Sequence, residues 1–169
     1  MIKIGQKPAT LDRPIEHLTA CHRRIEDRLA TLERAAEWLT TQDEKRKAEA
    51  TEAIASALRF LDSSGVMHTV DEETSLFPRL LPRLDSGDLD YVQSLERQHR
   101  ELDQAYAELK SAFNAGEPDQ YRAAVSRVAK LYREHIASED RVLTAIAARH
   151  LSAADLDAIA AEMRARRSR

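Results

Sequence analysis

The sequence predicts an all-α protein, an up-down-up-down four-helix bundle with a short C-terminal fifth helix. Three observations predict it. Glycine and proline are scarce, 4 and 5 of 169 residues, while Ala, Leu, Glu and Arg, all strong helix formers, dominate. Apolar residues recur at three- and four-residue spacing through four long stretches. The breaks between those stretches are short, which predicts antiparallel neighbours.

Each element can be justified in order. Asp12 is placed to cap the first helix, with Pro14 in its first turn. Ile15, Leu18, His22, Ile25, Leu29 and Leu32 form its inner stripe, and the helix is expected to end near Thr40. The polar break from Thr40 to Asp43 starts a second helix, whose stripe contains Ile54, Leu58, Leu61, His68, Glu72 and Leu76. Ser63-Ser64-Gly65 is expected to loosen it one turn before His68. Phe77-Pro78 is expected to stop it, because proline disfavours α geometry at the residue before it. A loop from Pro82 to Asp88 follows. The third helix is predicted from about Asp90 to Phe113, with Val92, Leu95, His99, Leu102, Tyr106 and Leu109 inward. After a break from Asn114 to Pro118, the fourth runs from about Asp119 to Ala148, with Val125, Val128, Leu131, His135, Glu139 and Val142 inward. Ser152 and Asp155 form a capping-box pattern that opens a short helix over roughly Ser152 to Arg167. The expected organisation is a tail over residues 1–11, a bundle over 12–150, and a short helix with a basic tail over 151–169.

Composition narrows the function classes. A net charge of −3 favours no charged partner. No apolar run approaches the roughly 20 residues needed to span a bilayer, and Met1 to Pro14 lacks the apolar core of a signal peptide. Cys21 is the one cysteine and has no internal partner for a disulfide, so the cytoplasm is the expected compartment. The closing arginines, Arg164 to Arg169, read as a solvated basic tail. Without a groove or stacking aromatics they do not make a nucleic-acid site.

Two His-x-x-x-Glu motifs stand out, His68–Glu72 and His135–Glu139, each preceded by a histidine on the helix before it, His22 and His99. Residues i and i+4 share a helix face, so each motif aims an imidazole and a carboxylate at one point. The halves also repeat. Leu18-x-x-x-His22-Arg23-x-Ile25-Glu26 aligns with Leu95-x-x-x-His99-Arg100-x-Leu102-Asp103, and His68-x-x-x-Glu72-Glu73 aligns with His135-x-x-x-Glu139-Asp140. This repeat predicts a pseudo-twofold axis with a dinuclear metal site on it. A lone histidine on an apolar face is more often an ordinary core residue than a ligand. Four at one depth, with two glutamates on the same stripes, are different, because a buried unpaired carboxylate costs several kcal/mol. Arg100 and Arg133, the candidates to neutralise those carboxylates, fall off the inner stripes. His17 and His150 lie off the pattern and should stay outside the site. Mixed imidazole and carboxylate donors suit non-haem iron or manganese, whereas a closed zinc site prefers thiolates. Cys21, about 100° round the helix from His22, is read as a small buried residue and not a ligand, with a reactive thiol as the lesser alternative.

The strings Cys21-His22-Arg23-Arg24-Ile25-Glu26, His68-Thr69-Val70-Asp71-Glu72-Glu73-Thr74-Ser75-Leu76-Phe77-Pro78, Gln98-His99-Arg100-Glu101-Leu102 and His135-Ile136-Ala137-Ser138-Glu139-Asp140 resemble the hemerythrin (HHE cation-binding) domain over roughly residues 12–150. The resemblance implies a carboxylate-bridged centre of two non-haem iron ions. In it Glu72 and Glu139 bridge the metals, and His22, His68, His99 and His135 are terminal ligands. Oxygen-carrying hemerythrins have a further histidine where this chain has Asp103, so the set here is more similar to the cluster-repair and regulatory members. Asp103 and its repeat mate Glu26 are open to three roles: extra ligands, acceptors for a histidine N–H, or surface residues, the second being preferred. Tyr106 is read either as a pocket wall or as an ordinary core aromatic. A ferritin-like site needs a Glu-x-x-His motif on two helices. Only Glu96–His99 supplies one on a core stripe, so that reading is disfavoured.

Three functions remain in view. The first is a cytoplasmic di-iron protein that binds or senses O₂, NO or iron without turnover. The second is a di-iron enzyme acting on NO or peroxide, or in iron-sulfur cluster repair. Repair is weakened because only Met1 to Leu11, with no cysteine, precedes the bundle. The third is a regulatory module whose fifth helix and tail signal to a protein partner. A homodimer is left open.

Overall fold

The computed structural model describes residues 11–168, and among them there is helix and no strand. The tail assigned to residues 1–11 lies outside the described residues except for Leu11, as does Arg169. Helix α1 spans Pro14–Ala36, α2 residues 44–80, α3 Ser86–Ala115, α4 residues 118–150, and α5 Ala153–Arg167. Helix α1 packs against α2 and α4, and α3 against α4. This is the up-down-up-down bundle with a fifth helix. Among the described residues, no helix is long and apolar enough to cross a membrane.

Several boundaries differ from expectation, each for a local reason. Arg13, not Asp12, is the residue before α1, with no side-chain cap, and Asp12 instead accepts a hydrogen bond from Arg164. Helix α1 gives way after Ala36 to turns that reach Thr40. Asp43 caps α2 by accepting from the backbone N–H groups of Lys45 and Arg46. Helix α3 starts earlier than predicted, because Asp85 accepts from the N–H of Asp88 and draws Ser86 to Leu89 into the helix. It ends where Gly116 takes the left-handed conformation at φ 70°. Pro118 stands in the first turn of α4, and the Ser152–Asp155 capping box opens α5 as read from sequence.

Pro78 does not stop α2, which runs on to Leu80. The cause is a π-turn over Glu72–Leu76, where the N–H of Phe77 reaches back five residues to the carbonyl of Glu72. That turn breaks the ordinary i→i−4 ladder just before the proline. Pro78 then falls in the first turn of the resumed helix, where its missing N–H costs little. Two further π-turns occur, at Leu61–Gly65 and Glu139–Leu143. Nearby hydroxyls bind carbonyls around each one. Ser63 donates to the carbonyl of Arg59, Thr74 to Val70, and Thr144 to Glu139. Tyr106 donates to the carbonyl of Leu58 at 3.0 Å beside the first π-turn.

The core falls into two clusters. One gathers Ile25, Leu29, Leu32, Ile54, Leu58, Leu61, Leu109, Tyr121 and Val128. The other gathers Leu18, Leu76, Phe77, Leu80, Leu95, Leu143 and Ile146, together with Ile159 and Met163 of α5. Helix α5 is therefore part of the second core, not an appendage. The histidines and glutamates singled out above form the layer between the clusters.

Candidate metal centre

One histidine comes from each long helix of the bundle, and α2 and α4 each add a glutamate. Together they form two groups, His22, His68, Glu72 and Glu139, and Glu72, His99, His135 and Glu139, with both carboxylates shared. All six are 5% exposed or less. The Nε2 atoms of His22 and His68 are 3.0 Å apart, and those of His99 and His135 are 3.2 Å apart. Glu72 turns Oε1 to His68 at 3.3 Å and Oε2 to His99 at 3.4 Å, one oxygen towards each half. Glu139 Oε2 lies 3.2 Å from both His22 and His135. Donor atoms about 3 Å apart are what two adjacent ligands of one metal at about 2.1 Å present.

The outer nitrogens explain how the rings are aimed. His22 Nδ1 is 2.7 Å from Asp140, His99 Nδ1 is 2.8 Å from Glu73, and His135 Nδ1 is 2.9 Å from the Gln98 side-chain oxygen. An acceptor there holds the proton on Nδ1 and leaves the Nε2 lone pair pointing inward, as a metal-binding imidazole needs. The buried His68 Nδ1 has no hydrogen-bond partner. The acceptors are themselves anchored. Arg23 donates to Asp140 at 2.5 Å and Arg100 to Glu73 at 2.7 Å. The internal repeat reappears in this layer: His22–Asp140–Arg23 and His99–Glu73–Arg100 are the same triad built twice.

This corrects the role preferred for Asp103 and Glu26. Asp103 is 70% exposed and lies 3.7 Å from Arg100, and Glu26 accepts from Arg23 at 3.1 Å. Each supports an arginine and neither reaches a histidine. Glu26 and Asp103, each four residues after the histidine of α1 or α3, turn away from the centre towards those arginines. The acidic residue directly after the shared glutamate of another helix is the one that reaches Nδ1. The signal was present in the sequence as the Glu72-Glu73 and Glu139-Asp140 pairs. Tyr106 does not face the site, since its hydroxyl binds Leu58 and Asp62. Arg100 and Arg133 are tied to Glu73 and Glu33 and leave Glu72 and Glu139 without a guanidinium. His17 and His150 are not in either group. Cys21 is buried, and that burial raises its thiol pKa, the opposite of an activated cysteine.

The electrostatics are those of a cation site. None of the four oxygens of Glu72 and Glu139 accepts a well-formed hydrogen bond, although both of Glu72 and Oε2 of Glu139 face imidazoles. Burial, with Glu139 beside it, pushes the Glu72 carboxyl well above its usual range. Burial acts on Glu139 too, but contacts from His135 and His22 outweigh it and hold that carboxyl low. Burial pushes His68 down to about 3, helped by the charge on His22. Burial also opposes the charge on His22, yet Glu139 and Asp140 outweigh it and carry that imidazole up to about 9. Orphaned buried oxygens and inward lone pairs fit a metal pair better than any set of protons.

Such a bundle, with histidine and glutamate donors converging in its middle, defines the class of helical metal-binding proteins. The family model described as Hemerythrin HHE cation binding domain matches residues 13–147, and the chain belongs to that family. No curated protein sequence matches the chain.

Proposed function

We propose that the protein is a cytoplasmic, non-haem di-iron protein that binds or senses a diatomic molecule, O₂ or NO. His22 and His68 would hold one iron, His99 and His135 the other, and Glu72 and Glu139 would bridge them. The observation that carries this reading is the sharing of both buried carboxylates between two donor groups. A reduced iron pair would supply open coordination positions and electrons for such a ligand.

The chain's own residues then exclude water and select by size. A cavity of about 10 Å³, room for about one water-sized molecule, lies beside His22, Glu72 and Glu139 under Leu18, Leu76 and Leu143. Its only titratable lining groups among the described residues are those three donors. No further acid or base is poised to move a proton, which favours binding over turnover of NO or peroxide. The test is elemental analysis of protein from iron-supplemented cells, followed by steady-state assays with NO and peroxide. About two irons per chain, lost in part by His68→Ala or Glu72→Ala and kept by His17→Ala, is the expected result. Full metal load in the first two variants sinks the ligand assignment, and sustained turnover replaces binding with catalysis.

A further inference from the structure

Among the described residues, the buried polar or charged side chains outside the six-residue centre are Asp71 and Ser75. Both are fully buried, and both are held by α5. Arg166 Nε donates to Asp71 Oδ1 at 2.9 Å, and an Nη2 of Arg167 donates to Asp71 Oδ2 at 2.6 Å. Arg166 also donates to the Ser75 hydroxyl, which donates in turn to Glu162. Glu162 accepts from Arg79 at 2.7 Å, one turn further along α2. Asp71 directly precedes Glu72, and Ser75 lies within its π-turn. Helix α5 therefore grips that turn from both ends. The internal repeat gives no counterpart, because the positions matching Asp71 and Ser75 are Ser138, which meets Tyr91, and Val142.

Covering apolar surface would not require this. Ile159 and Met163 already do that from the same helix, and a buried carboxylate is a poor way to gain stability. A metal also needs a way in. The six donors are 5% exposed or less, and the neighbouring cavity has room for about one water, not a hydrated ion. Local opening must precede loading. Helix α5 meets α2 both through that apolar packing and through the charged contacts at Asp71 and Glu162.

We propose that α5 is a strap on the metal centre. Arg166 and Arg167 act through Asp71 as positioning residues for Glu72, and undocking of α5 is the step by which metal enters and leaves. This rests on the di-iron reading above.

The experiment uses the full chain loaded anaerobically with ferrous iron and then challenged with a ferrous chelator. The Arg166→Met, Arg167→Met double variant should load to the wild-type stoichiometry and release iron about tenfold faster or more. Arg166→Lys with Arg167→Lys should restore slow release. Arg164→Met, which breaks only the exposed contact with Asp12, should leave the rate within about twofold. Because coupling is reciprocal, iron should slow amide exchange across α5 in the unaltered protein, a measurement that stands even where the double variant does not fold. An unchanged release rate in a folded double variant overturns the strap, as does equal α5 exchange in the metal-free and iron-loaded protein. A wild-type protein that takes up no iron instead refutes the di-iron reading, and the strap falls with it.

Discussion

Glu72 offers the sharpest test, because its worth to the fold and its worth to the site have opposite signs. It is fully buried, and neither oxygen accepts a well-formed hydrogen bond. An unsatisfied buried polar group costs about 1–3 kcal/mol, and replacing buried ionic groups with apolar ones of similar size is often stabilising. Glu72→Leu should therefore stabilise the metal-free protein by about 2 kcal/mol. At this chain length that raises Tm by about 4–8 °C. Thermal unfolding followed by far-UV circular dichroism, with a strong chelator present, reads this directly. With ferrous iron in excess the order should reverse, because the wild type gains stability from free metal and the variant has lost a bridging donor. If metal-free Glu72→Leu melts at or below the wild type, the carboxylate is already satisfied in the folded chain. The argument that its oxygens await a cation would then be wrong.

Two further predictions concern what surrounds the centre. Asp140→Ala and Glu73→Ala should each weaken metal binding by about 10–100-fold, as loss of an outer partner does elsewhere, while Asp103→Ala changes it little; equal effects in competition titrations would undo the assignment of Asp140 and Glu73 as the aiming residues. The Arg79 guanidinium, with Ser75 and Arg166, holds Glu162 below the usual carboxylate range. A depressed carboxylate contributes stability that is complete above its unfolded pKa of about 4.3 and is lost as pH falls through the lower folded value. Amide exchange in α5 should thus accelerate relative to α3 as pH drops below about 4, after correction for intrinsic rates; a parallel change in both helices would mean that Glu162 holds nothing.

The bundle was legible because its signals are periodic. The stripes through Leu18–His22–Ile25–Leu29 and Leu95–His99–Leu102 are buried as spaced, and Gly116, Pro118 and the Ser152–Asp155 pair mark real ends. The centre was legible because donors at i and i+4 on apolar stripes have few other uses. What stayed hidden was whatever a side chain does across helices. Glu73 and Asp140 lie beside the inner stripe, and a pattern read along one helix shows the paired acids but not which histidine of another helix the second acid reaches. Asp71 was invisible for the same reason, since its partners stand 95 and 96 residues away. Of the arginines read as a solvated tail, Arg166 and Arg167 are instead 22% and 29% exposed and bound to that buried acid.

The π-turns show why a straight-helix reading still brought the six candidate donors together. Glu72 and Glu139 are each the first residue of a π-turn, so the histidine one turn before each lies in regular helix and the i, i+4 geometry is intact at the site. The extra residue enters only afterwards. It rotates the rest of the helix relative to a continuous α-helix, and Leu76–Phe77–Leu80 and Leu143–Ile146–Ala147 face the second core. Periodicity cannot register such a shift, because apolar residues spaced three, four and one apart fit either phase. The same geometry leaves the carbonyls of Glu72 and Glu139 bonded five residues on, to Phe77 and Thr144, the π-turn pattern that recurs inside helices at functional sites.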